Sequence, residues 1–321
     1  MARLLARRLL FAGILIVLTS SSALFLARLA PGDMTSQLGP FASPVDIENT
    51  RTRFNLDRSP ISQWGLWVSR AMRLDFGESF LYNRPVAPLV VRAAGNTALL
   101  GVVSLLLATL AGLSLGVFTG ARSGTLPMLV RSVSLVCVSL PPLVTSLALV
   151  FLAARTGWLP AGGMVSSTAS DQTWSAWMLD VLRHLPLPVV ALALPMAATF
   201  ERLQSQSMAD AVHQPFVLAA IARGVPATRA LLRHAWPASL RPICGVYGLA
   251  IGVLLSGSFI VEFVTAWPGL GRLTFEALRA RDVYLVAACA ASGAAFLALG
   301  TMTGDLLLAA ADPRVRQESV G

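Results

Sequence analysis

Two acidic residues stand in apolar surroundings, where an ionisable side chain is costly. Glu262 lies near the outer end of one long apolar run and Asp305 lies within another. A carboxylate at membrane depth is unfavourable unless it faces protein or water, so such a residue is a functional candidate. Glu262 is therefore interpreted either as lining a polar path or as a structural partner of an outer loop. Asp305 is expected to pair with an arginine near the inner boundary.

The other chemistry-bearing residue types do not form an enzyme site. The three histidines lie outside the apolar runs, and the three cysteines show no CxxC or Cys/His pairing. This pattern supports neither a zinc site nor a disulfide framework. An intramembrane serine protease would need a histidine at membrane depth. The chain has no lysine and so cannot contain a P-loop of the GxxxxGK[ST] type. We expect no enzyme, and any ATP hydrolysis must come from another chain.

Composition indicates a membrane protein with several spans. Of the 321 residues 55% are hydrophobic and only 13% are charged, with a mean hydropathy of +0.68. A soluble domain has about 25% charged residues. The net charge of +9 comes entirely from scattered arginines. Because no basic stripe with interleaved aromatic residues is present, nucleic acid is not expected as a partner.

Six apolar stretches are long enough to cross a bilayer, which needs about 20 residues. They lie at 9–27, 96–119, 132–153, 186–203, 243–265 and 283–310. The first is interpreted as an uncleaved span because no convincing cleavage site follows it. The short loops carry more arginine on one side, which favours both termini inside. The predicted fold class is all-α, a polytopic membrane protein with six transmembrane helices, N-in and C-in.

Glycines within the spans are expected to permit close helix contacts. These are Gly112, Gly116, Gly252, Gly257 and Gly293.

Two segments outside the spans carry helical patterning. Short amphipathic helices are predicted over 45–56 and 61–74, in the outer segment after the first span. The inner loop at 204–242 predicts one short helix ended by Gly224 and a second from Ala227 to Trp236. A compact helix–glycine–helix knob on the inner face suits the groove of a binding partner better than it suits catalysis.

At this inner loop the sequence resembles the permeases of ATP-binding-cassette (ABC) importers, specifically the B-type permease of the dipeptide/oligopeptide/nickel branch. The family marker is an Ala-Ala pair, a following glycine and a later proline, here Ala219-Ala220, Gly224 and Pro237. Further blocks keep the family order over nearly the whole chain. They are Leu29-Ala30-Pro31-Gly32-Asp33, Asp75-Phe76-Gly77-Glu78-Ser79, Arg84-Pro85-Val86, Gly157-Trp158-Leu159-Pro160-Ala161-Gly162-Gly163, Trp267-Pro268-Gly269-Leu270-Gly271-Arg272 and Asp312-Pro313-Arg314-Val315-Arg316.

The resemblance implies a type I ABC importer permease fold that forms half of a translocation pore in the inner (cytoplasmic) membrane. Its implied partners are a second, homologous permease in a heterodimer, two ABC ATPases, an extracytoplasmic solute-binding protein and membrane lipid. ATP and Mg²⁺ would be used by those ATPases, and no cofactor or metal is expected on this chain. The implied cargo is di- or oligopeptides, with nickel or a nickel chelate as the alternative. An ATP-independent secondary transporter is the alternative from another class.

The resemblance also implies site residues and boundaries. Those implied to couple the ATPases are Phe216, Ala219, Ala220, Arg223, Gly224 and Pro237. Those implied either to line the path or to be structural are Glu262, Trp267, Gly269 and Gly271. The expected divisions are 1–30 (N-terminal transmembrane helix), 31–95 (extracytoplasmic helical segment), 96–310 (five-helix core with its coupling loop at 204–242) and 311–321 (cytoplasmic tail).

The chain departs from the family pattern at the knob. An acidic residue and a tyrosine are usual before the Ala-Ala pair, where Pro215 and Phe216 stand here. Leu218, Ile221 and Ser205 occupy positions where the family usually has arginine. The knob is therefore more apolar than usual, which predicts a matched ATPase surface.

Overall fold

The computed structural model describes residues 2–29, 35, 43–166 and 173–311. The expected start motif at 30–33 and all but the first residue of the expected tail at 311–321 lie outside the described residues. The described chain is almost entirely helical, apart from one two-stranded antiparallel hairpin, β1 (Glu78–Ser79) and β2 (Arg84–Pro85). The helices are α1 (Ala2–Leu29), α2 (Pro44–Arg53), α3 (Pro60–Ala71), α4 (Val86–Ala121), α5 (Thr125–Ser139), α6 (Pro142–Thr156), α7 (Trp174–His184), α8 (Pro186–Val212), α9 (Pro215–Ala222), α10 (Ala227–Ala230), α11 (Trp236–Ser239), α12 (Arg241–Val264), α13 (Leu270–Arg279) and α14 (Val283–Ala311).

Five helices are long and apolar enough to cross a membrane, namely α1, α4, α8, α12 and α14. A sixth crossing is obtained if the bent pair α5 and α6 counts as one span. The all-α, polytopic fold class is thus confirmed. The two amphipathic helices predicted after the first span are also present, as α2 and α3, each ending three residues earlier than predicted.

The prediction of one continuous helix over 132–153 is wrong. The chain bends there by 104°, between Ser139 and Pro142. Pro141 and Pro142 have no N–H to donate into a preceding helical turn, and the ring of each would clash with the carbonyl four residues earlier. Leu140 and Pro141 are extended, so α5 ends and α6 begins anew with Pro142 in its first turn.

The chain divides into two compact units, of which unit 1 comprises Met1–Ala98 and Pro268–Ala298. Its core packs α3 and the turn after α2, at Phe54, against the first residues of α4 and α14, with Trp67, Val86 and Val90 buried. Burial of these α4 residues explains why the helix begins ten residues before the predicted apolar run at 96–119. Hydrogen bonds from Gln63 to the hydroxyl of Tyr284, and from that hydroxyl to the carbonyl of Phe54, tie the segment to α14.

Unit 2 comprises Leu99–Trp267 and Leu299–Gly321, and small residues bring its helices close together. Gly112, Gly116 and Gly120 recur every four residues along α4 and face α8. A Cβ atom at Gly116 would lie 2.5 Å from Cβ of Gln204, closer than any real contact. The prediction of close packing is confirmed at Gly112 and Gly116. It is wrong at Gly293, where a Cβ atom would meet nothing within 4 Å.

Candidate functional site

Helix α9 is the first helix of the predicted knob. One of its faces, called here the inner face, packs against the rest of the chain, and the other, the outer face, is exposed. Gln214 is extended and Pro215 opens the helix, as proline favours at the first helical position. Val217 and Ala220 are buried on the inner face. Val217 packs in a small apolar cluster with Met208 and Ala211, near the end of α8.

The outer face of α9 is apolar and carries no charge. Phe216, Leu218 and Ile221 are 47%, 51% and 40% exposed. No residue of α9 is ionisable, and the neighbouring Arg223 turns its Nε back to donate to the carbonyl of Ala219 at 3.1 Å. Ala219 is also exposed, whereas Ala220 is not. Of the predicted coupling residues on α9, Phe216 and Ala219 are therefore exposed, whereas Ala220 is buried against the rest of the chain.

A glycine ends α9 for a stereochemical reason. Gly224 has φ +88°, a left-handed conformation that is strained for residues with a Cβ atom. Its N–H donates to the carbonyl of Ile221 at 2.9 Å, and the N–H of Val225 donates to the carbonyl of Ala220 at 3.2 Å. These bonds satisfy carbonyls at the helix end and reverse the chain toward α10.

The second helix of the knob was predicted to end at Trp236, and the structure extends it. It continues to Ser239 through α10, a π-helical turn over Leu231–Ala235, and α11. A proline inside a helix lacks a donor and clashes with the carbonyl four residues earlier. The wider π turn places one extra residue in the turn that precedes Pro237, which relieves this conflict. Pro237 thus sits inside the helical segment rather than beyond it.

Buried polar side chains join the second helix of the knob to α8, and α8 to α4. Gln204 on α8 donates through Nε2 to the hydroxyl of Ser239 at 2.7 Å. One turn earlier on α8, Oε1 of Glu201 accepts from the hydroxyl of Thr119 on α4 at 2.5 Å. All four residues are at most 2% exposed. These two hydrogen bonds could not be predicted from the sequence, because their partners are separated by 35 and 82 positions.

Glu262 and Trp267, two of the candidate path or structural residues, are both fully buried in unit 2. The N–H of Trp267 donates to the carbonyl of Glu262 at 2.9 Å and closes the turn after α12. The loop that contains Gly162 and Gly163 lies on this turn. The N–H of Gly163 donates to the carbonyl of Thr265 at 2.8 Å. The structure thus brings the family-like block at 157–163 next to the turn that leads into the block at 267–272, about 100 residues later.

Gly269 and Gly271 belong to unit 1, where they start α13. The N–H of the intervening Leu270 donates to the hydroxyl of Thr97 at 2.8 Å, and Nδ2 of Asn96 donates to the carbonyl of Pro268 at 2.8 Å. Both glycines therefore lie in a turn that is fastened to α4.

A cavity of about 310 Å³ opens at the break between α5 and α6. Its walls also come from the middle of α8, at Pro195 and Thr199, and of α12, at Val253 and Gly257. The single span predicted over 132–153 gave no indication of this cavity. The Pro-Pro pair inside that apolar run was the available signal.

Comparison with known proteins identifies the family of this chain. Residues 112–317 match the family described as binding-protein-dependent transport system inner membrane component. The chain is 31% identical over 325 residues to the oligopeptide transport system permease protein OppB of Mycobacterium tuberculosis, covering 98% of this chain and 99% of that protein. It is 29% identical over 318 residues to the oligopeptide transport system permease protein AppB of Bacillus subtilis, with the same coverage. The chain therefore belongs to the family of inner membrane permease components of binding-protein-dependent, ABC-type importers.

Proposed function

We propose that this chain is one permease subunit of an ATP-driven importer of di- or oligopeptides in the inner (cytoplasmic) membrane. As a member of its family the chain is a transport component and not an enzyme. The relatives that match it from end to end are named oligopeptide permeases, which favours peptide over nickel as the cargo. It would pair with a second homologous permease, two ATPases that bind ATP and Mg²⁺, and an extracytoplasmic solute-binding protein.

The observation that carries the coupling role is the two-faced helix α9. An exposed surface of Phe216, Leu218 and Ile221 on a short loop helix is costly in water and favours cover by a partner protein. Val217 anchors the same helix to the end of α8. A force applied to the outer face would therefore be transmitted to a membrane-spanning helix. This arrangement suits an ATPase groove that moves α9 during the ATP cycle.

The course of α5 and α6 along α8 supports the proposed sidedness. Arg131 and Leu135 of α5 share a cavity with residues near 201–209 of α8. Leu149 and Thr156 of α6 share another cavity with Pro186 and Val190, at the opposite end of α8. A re-entrant pair would return to the end where it started. The bent pair is therefore best counted as one crossing. That makes six crossings and places both termini on the same side, which the arginine bias of the short loops assigns to the cytoplasm.

With six crossings, the segment at 31–95 would be extracytoplasmic and the loop at 204–242 cytoplasmic. The ATPases would meet α9 in that loop. Gly269 and Gly271 would then belong to an outer turn, and Glu262 and Trp267 to the outer end of α12.

The test is purification of the tagged chain with its bound subunits, followed by reconstitution in proteoliposomes. We expect a second permease, two ATPases and a solute-binding protein to co-purify, and ATP-dependent uptake of peptides from a tryptic casein digest. Ni²⁺ is offered separately. Uptake of Ni²⁺ without peptides would overturn the peptide assignment, whereas uptake by this chain alone without ATP would favour a secondary transporter.

The coupling role is tested at Leu218, which is half exposed on α9. We expect Leu218→Glu to reduce ATPase co-purification and peptide uptake at least tenfold, because the partner groove would have to bury an unpaired charge. Leu218→Met keeps the apolar surface and should retain both. Full uptake by a correctly inserted Leu218→Glu variant would rule out α9 as the ATPase contact.

A further inference from the structure

The cavity at the α5–α6 break contains backbone that ordinary helix bonding does not satisfy. In a continuous helix the carbonyls of Cys137 and Val138 would each accept from the N–H four residues later. Those residues are Pro141 and Pro142, which have no N–H. Val138 and both prolines line the cavity.

Helix α8, which forms the opposite wall of the cavity, also contains a carbonyl that a proline deprives of its helical donor. Pro195 lies inside α8 and lines the cavity, and it deprives the carbonyl of Ala191 of its helical donor. The hydroxyl of Thr199, another lining residue, donates to the carbonyl of Pro195 at 2.9 Å. Prolines on two facing helices therefore leave carbonyl acceptors in segments that border one cavity.

These segments lie at the middle of the membrane-crossing helices. The break is midway between the start of α5 and the end of α6, while Thr199 and Val253 lie near the midpoints of α8 and α12. Non-helical backbone at membrane depth is tolerated only where it is buried in protein or lines a water-filled cavity. A cavity of about 310 Å³ borders this backbone, and water in it would meet the second condition.

We propose that this cavity is a peptide-binding site on the translocation path and that it binds the backbone of the transported peptide. This inference rests on the proposed peptide-importer function. Val138 lines the cavity and its carbonyl has lost its helical donor, so it offers an acceptor that an N–H group or the α-ammonium of an extended peptide can match. The walls are otherwise apolar, at Leu140, Leu192, Met196 and Leu254, and make no sequence-specific demand on side chains. Such a site would pass peptides of varied sequence.

Water access is tested by cysteine labelling in the reconstituted complex. On a background in which Cys137, Cys244 and Cys289 are replaced by alanine, Ser139→Cys introduces a thiol into the cavity wall. We expect a membrane-impermeant methanethiosulfonate to label it, and peptides of the casein digest with the binding protein and ATP to slow labelling at least threefold. Val133→Cys, exposed on another face of α5, is the matched control and should stay unlabelled.

Filling the cavity is the second test. A Cβ atom at Gly257 would meet only Cδ1 of Leu192, at 3.2 Å, so Gly257→Val should fold. We expect it to lower peptide uptake at least tenfold while subunit co-purification and ATP hydrolysis persist. Gly101→Val, where a Cβ atom would meet nothing within 4 Å, should transport normally.

The outcomes separate the two proposals. Absence of peptide uptake by the unmodified complex would overturn the proposed function and this inference together. Peptide uptake with an unlabelled Ser139→Cys thiol, with labelling that peptides do not slow, or with full transport by Gly257→Val would overturn this inference alone.

Discussion

At the scale of single residues, Asp282 is the carboxylate whose environment is best defined. It is fully buried in unit 1, immediately before α14. Its Oδ2 accepts from the hydroxyl of Ser79 at 2.6 Å and from the N–H of Leu81 at 3.1 Å. Its Oδ1 accepts from the N–H of Leu285 at 3.2 Å. One side chain thereby ties the β-hairpin region to the start of a span 200 residues later.

Replacing Asp282 with alanine is expected to destabilise unit 1. The change leaves three donors without their acceptor, and each buried unsatisfied donor costs about 1–3 kcal/mol. Thermal unfolding in detergent, followed by tryptophan fluorescence, measures the loss. An unchanged unfolding temperature would show that these three bonds contribute nothing to stability.

The cost of Asp282→Ala should also depend on pH. Burial raises the pKa of Asp282 above its ordinary value of 3.8, against the lowering effect of its hydrogen bonds. The stabilisation that Asp282 provides is thus complete below the ordinary value and falls as pH rises through the raised pKa. The difference between wild type and Asp282→Ala should be larger at pH 5 than at pH 8. A larger difference at pH 8 would contradict this sign.

At the scale of elements, the contact between α4 and α8 depends on the absence of side chains. Gly116→Ala would place Cβ 2.5 Å from Cβ of Gln204 and 2.8 Å from the carbonyl oxygen of Glu201. Overpacking of this kind costs about 1–3 kcal/mol. We expect a lower unfolding temperature and a lower yield of monodisperse protein. Gly101→Ala, on the same helix with no neighbour within 4 Å, should show neither effect.

The two faces of α9 determine which variants can report on coupling. Ala220 is only 3% exposed, so Ala220→Glu would bury a charge and unfold the knob rather than disturb a partner contact alone. Gly224→Asp would strain a residue at φ +88°. Exposed positions such as Leu218 avoid both problems. Periodicity predicted the helix but not which of its residues face outward, since that depends on contacts with α8.

At the scale of the whole molecule, the number of crossings depends on the bent pair α5 and α6. If the pair crosses the membrane once, the residues before α5 and after α6 lie on opposite sides. Ser123→Cys and Trp158→Cys, each in the cysteine-free background, should then react with an impermeant reagent from opposite sides of sealed vesicles. Both positions are exposed. Labelling of both from the same side would make the pair re-entrant and the crossings five.

The sequence by itself determined the all-helical class, the five spans that are single helices, the helices α2 and α3, and the knob helix ended by Gly224. These features follow from local hydropathy, helical periodicity and glycine stereochemistry, which a short window of residues contains. The family resemblance also came from short ordered motifs, and the comparisons confirm it.

Only the tertiary structure decided how distant segments meet. Asp282 accepts from Ser79 across 203 positions, and Glu201 accepts from Thr119 across 82. The Pro-Pro pair is a local signal for a helix break, which the single span predicted over 132–153 overlooked, and no local signal shows that Pro195 of α8 borders the same cavity. Such arrangements depend on which helix faces pack together, and packing involves residues far apart in the chain. Local pattern therefore predicted the elements, while long-range contacts decided the sites they form.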